Sequence, residues 1–267
     1  MASSTRQSLA AAKEALQPLL AKADLKFATE LFTIGNAVAS STQLRNILSD
    51  PSAEAVAKSG ALQAVFGKGV SKAALEFAEH LVVLRWSTGS DLVSAFEQLA
   101  VHTVAAIAAS AKKLDQLESE LFSFRQAVDS DQDLQMALSS KTASLEAKLA
   151  LVNALLGKKA SAETALLVQN AVSGARRRRV SVVLEQFGKQ ISAFADRLVA
   201  LVTSAAELDK KQIDRLEKAL AKAYGQSVTL NVEVDESLLG GLKVQVAGQI
   251  IDGSLSNRLQ QAKLQLA

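Results

Sequence analysis

The chain of 267 residues contains no cysteine, only two prolines, and aromatic residues amount to 4% of the sequence. Without cysteine, disulfides, thiolate metal sites and cysteine nucleophiles are excluded. Because few residues break a helix and alanine, leucine and valine dominate the apolar half, the composition favours a mainly helical fold. The length suffices for one large domain or for two to three small ones.

A strong charge of either sign is also lacking. The 30 basic and 27 acidic residues leave a net charge of +3, well short of the dense positive field of a nucleic-acid-binding protein. No run reaches the ~18 apolar residues that cross a bilayer, and the nearest candidate, Val101 to Ala111, is short. Lys13 and Glu14 interrupt the region where a signal peptide needs an apolar core. We therefore expect a soluble intracellular protein that reaches a membrane only through partners.

The sequence repeats itself at an offset of about 90 residues. Glu30-Leu31-Phe32 matches Glu120-Leu121-Phe122, and Gly67-Lys68 matches Gly157-Lys158. A shared bias toward alanine and leucine would not place Gly-Lys at the same offset in both halves. Each copy has the pattern of several short helices, and Leu92 to Ala111 is predicted to link the copies as one long helix. The repeat predicts two helical bundles with grooves between their helices.

After Arg197 the pattern changes to that of a small α/β module. Asp209 followed by Gln212 predicts a capping box at the start of a helix. Strands are predicted from one continuous apolar run and from two alternating runs. These runs are Leu198–Val202, Val228–Val234 and Leu242–Val246. The resulting order is strand, helix, strand, glycine turn, strand and a last helix.

Groups for catalysis are few. The histidines His80 and His102 lie in helical segments rich in alanine and leucine, where a surface or satisfied histidine is more common than a catalytic one. Gly67-Lys68-Gly69 lacks the first glycine and the Ser or Thr of a phosphate-binding loop. We expect no enzyme activity, no cofactor and no metal site.

The run Arg176 to Arg179 allows two interpretations. It could contact phosphates or an acidic partner surface, or it could be a solvated helix end or loop. We favour the second, since no aromatic residues lie between the arginines. A nucleic-acid-binding protein that uses Arg176–Arg179 remains the less favoured alternative, beside a generic helical adaptor.

The residue types near the C-terminus are set by backbone geometry. Gly240 and Gly241 allow a positive φ and a close backbone approach. Asp252 and Gly253 form a turn signal, and Ser254 can cap the last helix. The stretches "GGLKV" and "IIDGS" resemble the closing segment of the δ subunit of rotary ATP synthases, which mitochondria call the oligomycin-sensitivity-conferring protein.

The resemblance extends from about Leu92 to Leu266, and the additional N-terminal bundle is similar to the duplicated form of actinobacterial δ subunits. It implies a non-catalytic connector that joins the peripheral stalk to the top of the catalytic head and resists torque. Its implied partners are the N-terminal helix of an α subunit and the b-type stalk subunits. The implied location is the cytoplasmic face of the bacterial membrane. The motif residues Gly240, Gly241, Asp252, Gly253 and Ser254 would be structural.

Three domains follow from these patterns, and their expected roles come from the resemblance. We predict a first bundle of six-helix type over residues 1–91, which would brace the stalk or the side of the head. A second bundle over residues 92–197 would bind the α helix. The α/β module over residues 198–267, a short sheet with two helices, would bind the stalk.

Overall fold

The computed structural model describes residues 3–140, 142–157, 160–174, 178–195, 197–224, 227–235, 238, 240–246 and 249–252. Two compact units divide the chain, Met1–Ile191 and Ser192–Ala267. The described helices are α1 (Ser3–Leu20), α2 (Leu25–Ser40), α3 (Thr42–Ser49), α4 (Ala55–Phe66), α5 (Lys72–Val83), α6 (Gly89–Ser110), α7 (Leu114–Ser130), α8 (Gln132–Ser139), α9 (Leu145–Leu156), α10 (Ala162–Ser173), α11 (Val180–Phe194) and α12 (Lys210–Tyr224). The described strands are β1 (Arg197–Ser204), β2 (Ser227–Val234), β3 (Leu242–Val246) and β4 (Gln249–Asp252).

The predicted fold class, mainly α with a small α/β module, is confirmed. Helices α3, α4 and α5 recur as α8, α9 and α10, each displaced by 90 residues, as from Thr42 to Gln132. The same offset relates the end of α1 at Leu20 to the end of α6 at Ser110. Helix α6 is therefore both the last helix of the first copy and the first helix of the second. Eleven of the described helices thus form two six-helix copies.

Hydrogen bonds repeat at the same offset as the helices. In the first copy the Glu30 carboxylate accepts bonds from the backbone N–H (3.0 Å) and the hydroxyl of Ser71. In the second copy Glu120 accepts the corresponding bonds from Ser161, at 2.9 and 2.7 Å. The two serines cap α5 and α10. A carboxylate on the second helix of each copy thus binds the N-terminus of the fifth, where negative charge is favourable.

The electrostatics of Glu120 follow from this contact. Burial by itself raises the pKa of the Glu120 carboxyl. Hydrogen bonds from Thr164, Ser161 and Gln116 outweigh burial and hold the pKa below its usual value. The carboxylate is therefore ionised at neutral pH, which strengthens the bonds that it accepts.

Helix α6 lies in the core of the first unit. It contacts α1, α2 and α3, which precede it in the chain, and α7 and α10, which follow it. By length and composition it is the one described helix that could span a membrane. In its most apolar stretch 61% of the residues are buried in the protein. Packing within the fold accounts for this apolar character.

Helix α2 approaches α6 closely because residue 35 is glycine. A Cβ at Gly35 would lie 2.8 Å from the Cβ of Phe96. On α2 the ring of Phe32 also contacts Phe187 of α11, with 6.2 Å between centroids. The second copy has Arg125 in place of Gly35, and its guanidinium lies 5.3 Å from the ring centroid of Phe122. Helix α2 is therefore packed against elements of both copies. Helix α7 carries Arg125 at the position that corresponds to Gly35.

We expect Gly35→Ala to lower the free energy of unfolding by about 1–3 kcal/mol, because the added methyl group overpacks the contact with Phe96. The matched control is Gly188→Ala in α11, where a Cβ meets nothing within 4 Å. The control should be neutral or should stabilise the chain by up to about 1 kcal/mol. Urea unfolding followed by circular dichroism measures both. Equal stability of the two variants would contradict the account of the α2–α6 contact.

The C-terminal unit contains a four-stranded sheet in the order β2-β1-β3-β4. Strand β1 pairs in parallel with β2 and antiparallel with β3, and β3 pairs antiparallel with β4. Its core consists of alternate strand residues and one face of α12: Ala200, Val202, Leu220, Val228, Val244 and Val246. The predicted capping box is confirmed, since the backbone N–H of Gln212 donates to Asp209 (2.8 Å) and that of Asp209 donates to Gln212 (2.9 Å).

Two expectations about this unit need correction. Gly240 and Gly241 do not turn between neighbouring strands, because β1 lies between β2 and β3. The hairpin is formed by β3 and β4 instead, and β4 was not predicted because four residues are too few for an alternation to stand out. Asp252 is the last residue of β4. Gly253, Ser254 and the predicted last helix lie outside the described residues.

Candidate partner-binding surfaces

The glycine pair lies in the connection between β2 and β3, at φ angles that favour glycine. Gly240 has a φ of 128° and Gly241 a φ of 87°, both in the region that side chains avoid. Before them, the N–H of Leu238 donates to the carbonyl of Asp235 at 3.1 Å, and the N–H of Asp235 donates to Ser204 at 2.8 Å. The positive φ at both positions favours glycine over any other residue. The role of the motif in binding the stalk stays a prediction.

Gly240→Val should destabilise the C-terminal unit by about 1–3 kcal/mol, since a β-branched residue is strained at this φ. The matched control is Gly60→Val on α4, where a Cβ has open space. Limited proteolysis with mapped cleavage sites should show faster cutting within residues 197–252 of the first variant only. Unchanged protease resistance of Gly240→Val would refute the requirement for glycine.

Helices α4 and α9 each expose large apolar side chains. On α4 the side chains of Val56 and Val65 are 80% and 56% exposed. On α9 those of Leu145 and Leu155 are 48% and 51% exposed. Val65 and Leu155 occupy equivalent positions in the two copies. Val56 and Val65 are nine positions apart and lie on opposite sides of α4, so these are single exposed apolar residues and not one patch.

Two equivalent clefts lie beside these helices, one in each copy. Each is formed by the loop before the fourth helix, the start of that helix and the end of the fifth. The volume is about 410 Å³ in the second copy and about 340 Å³ in the first. Lys148 lines the cleft of the second copy, and its counterpart Lys58 lines that of the first. The duplication thus provides two clefts of the same origin but of different lining.

The arginine run is only partly a solvated segment. Arg178 forms an ion pair with Glu97 of α6, and the two side chains are only 24% and 18% exposed. Arg178 also donates to Gln186 of α11 at 2.7 Å. The expectation of a solvated loop is therefore wrong for Arg178, which ties the link between α10 and α11 to α6. Arg179 is exposed, and Arg176 and Arg177 lie outside the described residues.

Removal of this ion pair should destabilise the first unit. We expect Arg178→Met to cost about 1–3 kcal/mol, because Glu97 loses a charged hydrogen-bond donor in a largely buried setting. A double-mutant cycle with Glu97→Gln isolates the coupling between the two side chains. Lys189→Met is a control, since Lys189 pairs with Glu185 where both side chains are well exposed. A coupling of zero for Arg178 and Glu97 would contradict the structural role.

The two histidines and the Gly67-Lys68-Gly69 segment form no catalytic or phosphate-binding site among the described residues. Burial, assisted by Lys13, lowers the pKa of His102 to about 4, so this histidine is neutral at physiological pH. His80 is exposed on α5. Gly67 ends α4, with its N–H donating to the carbonyl of Gln63 at 2.9 Å. No group of three or more potential metal ligands occurs among the described residues.

Comparison with known proteins identifies the family of this chain. The family model described as "ATP synthase delta (OSCP) subunit" matches residues 101–266. The ATP synthase subunit delta of Leifsonia xyli is 40% identical over 267 residues, which cover 100% of both chains. The chain belongs to the ATP synthase delta (OSCP) subunit family. The subunit delta of Streptomyces coelicolor is 38% identical, covering 100% of this chain and 98% of its own.

A solved structure, the Toxoplasma gondii mitochondrial ATP synthase hexamer, contains a similar chain with 19% identity and a TM-score of 0.37. The match covers 64% of this chain and 96% of that one. Folds cannot be equated at this score, and the family assignment rests on the sequence matches.

Membership in the delta (OSCP) family confirms what the C-terminal motif indicated. The chain is a non-catalytic subunit of the ATP synthase complex, with the connector role of its family. Relatives in actinobacteria match over the full length, including the additional N-terminal copy. The family model begins within α6, at residue 101, and so covers the second copy and the C-terminal unit.

Proposed function

We propose that this delta subunit joins two specific partners, each through a separate part of the chain. The second helical copy takes up the N-terminal helix of an α subunit, and the C-terminal unit binds the ends of the b-type stalk helices. The subunit thereby resists the torque of the rotor on the catalytic head. It works at the cytoplasmic face of the bacterial membrane, where its partners hold it.

The extent of the family match carries this division of roles. Residues 101–266 match the family model, and residues 1–100 do not contribute to that match. A function shared across the family belongs to the part that is shared, which consists of the second copy and the C-terminal unit. The first copy, predicted over residues 1–91, is then free to brace the stalk or the side of the head.

The division into two compact units supports the same proposal. A connector needs two attachment points that each fold stably on their own core, and residues 192–267 have an internal core separate from that of the helical copies. Helix-in-groove contacts obtain their affinity from a few buried apolar anchors. On α4 and α9 the helical copies expose single apolar side chains of this size.

Because α6 belongs to both helical copies, the two copies cannot be tested as separate fragments. Deletion of the first copy would remove α1, α2 and α3 from α6 and expose its buried face. A loss of binding in such a fragment would then report misfolding. The full-length chain is needed, and the duplication supplies an internal control, because each helix of the second copy has an equivalent 90 residues earlier.

We expect a synthetic peptide of the α-subunit N-terminus to slow amide hydrogen exchange in helices α7–α10 of the full-length chain. Exchange in the equivalent helices α2–α5 should change least, because their surface is not the one that the family shares. A peptide from the C-terminus of the b-type subunit should instead slow exchange in β1–β4 and α12. Hydrogen exchange with mass spectrometry measures both at peptide resolution.

A scrambled α peptide of identical composition is the control and should protect nothing. Protection confined to α2–α5 would reverse the assignment of the two copies. Protection of the helical copies by the b-type peptide, with none in the sheet, would refute the role of the C-terminal unit.

A further inference from the structure

We infer that the cleft of the first copy is a binding site for a small phosphate-type oxyanion, either inorganic phosphate or the phosphate group of a small ester. The cleft lies between the start of α4 and the segment that follows α5. Its volume of about 340 Å³ has room for such an anion and the water around it. The site is independent of the α-helix and stalk-helix contacts proposed above.

A buried lysine is the central observation. Lys58 lines the cleft, and only 4% of the residue is exposed. Its ammonium donates one hydrogen bond, to the carbonyl of Val82 at 3.1 Å, and forms no ion pair with a carboxylate of the described residues. An ammonium has three N–H donors, so two are left without an acceptor in the described part of the protein. Because a buried charge is costly unless it is paired, Lys58 has both the need and the donors for an anion.

The charges around Lys58 do not satisfy it. Burial lowers the pKa of its amine, since the charged form loses hydration, and the attraction of the Asp50 carboxylate offsets only part of this effect. Asp50 accepts hydrogen bonds from the backbone N–H (2.8 Å) and the hydroxyl (2.6 Å) of Ser52, and it does not line the cleft. An anion in contact with the ammonium would replace the stabilisation that burial removes.

Other groups along the cleft also suit an oxyanion. Arg85 is exposed and lines the cleft, and Ser49 adds a hydroxyl. No acidic side chain is among the described lining residues. A guanidinium and an ammonium from separate segments can share the several acceptor oxygens of one phosphate group. Trp86 is 5% exposed and therefore offers little ring surface to a nucleobase, which favours a small phosphate over a nucleotide.

The N-terminus of α4 adds a backbone donor to the charge of Lys58. Glu54 precedes the helix, and its side chain caps none of the first N–H groups. Ala55 lines the cleft, and its N–H has no acceptor among the described residues. The partial positive charge of a helix N-terminus favours a bound anion.

The second copy differs at these positions. Ser144 stands in place of Glu54, and its hydroxyl accepts a hydrogen bond from the N–H of Ala147 at 3.2 Å. Lys148, the counterpart of Lys58, is partly exposed, so water can hydrate its ammonium. The equivalent positions 90 residues later therefore provide an internal control within the same chain.

The test is a titration of the ¹⁵N-labelled full-length chain, followed by nuclear magnetic resonance. Inorganic phosphate is added in one series and glycerol 3-phosphate in another. We expect the amide resonance of Ala55 to shift in a saturable way, because a bound anion would lie near its N–H. The amide of Leu145, the equivalent residue of α9, should not shift. A response to phosphate alone identifies the free anion as the ligand, and a response to the ester identifies a phosphate group on a larger molecule.

Substitutions assign the response to the cleft. Lys58→Met keeps the length of the side chain without its charge and should raise the Kd about tenfold, a change that corresponds to ~1.4 kcal/mol. Arg85→Met should also raise the Kd, and this exposed position keeps the test valid if Lys58→Met fails to fold. Lys148→Met in the second copy is the matched control and should leave the Kd unchanged. Thermal unfolding checks that each variant folds.

Sodium chloride at the same ionic strength controls for general salt effects. A shift of Ala55 that chloride produces as strongly as phosphate would overturn the inference, and so would the absence of a shift with both phosphate compounds. The same Kd in the wild type, Lys58→Met and Arg85→Met would contradict it as well. Failure of the proposed function would not alter these results, because the titration uses the subunit without its partners.

Discussion

Burial of helix α6 is the constraint on which the rest of the helical unit depends. It is apolar enough by composition to pass for a membrane span, and the remaining helices cover it. The first copy needs it as a sixth helix and the second needs it as a first helix. Because one helix serves both, neither copy can complete its core alone. The duplication has therefore produced one compact unit from two copies.

The two copies that share α6 are unequal. Helix α2 packs against α6 and contacts α10, and it carries Gly35 where the crossing leaves no room for a Cβ. The corresponding helix of the second copy has Arg125 at that position. At the other end of each copy, Trp86 lines the first cleft, of about 340 Å³, and Gly174 lines the second, of about 410 Å³. The copies therefore differ in their packing against α6 and in the lining of their clefts.

Much of this architecture could be predicted from the sequence, and the reasons are local. Ser71 and Ser161 cap helices within three residues, and Asp209 and Gln212 satisfy each other across one turn. Such contacts leave a signature in a short stretch of sequence, and so do the glycines with positive φ. The repeat was visible because equal packing positions keep equal residue types.

What the sequence did not predict depends on contacts between distant residues. The ion pair between Glu97 and Arg178 joins residues 81 positions apart, so a run of arginines alone could not indicate it. The position of β1 between β2 and β3 is likewise a matter of tertiary pairing, since alternation predicts strands and not their order. The two clefts likewise bring together residues from separate segments, so a local pattern does not reveal their lining.

The central claim is that the two helical copies form one cooperative unit around α6. Trp86, the only tryptophan, reports on the first copy, whereas far-ultraviolet circular dichroism reports on all helices. Phe187→Ala removes a buried ring of the second copy that contacts Phe32 of the first. In urea, the account predicts that this variant lowers the midpoint of the Trp86 fluorescence transition together with that of the main helical transition. A Trp86 midpoint that stays at the wild-type value, while the helical signal splits into two steps, would contradict it.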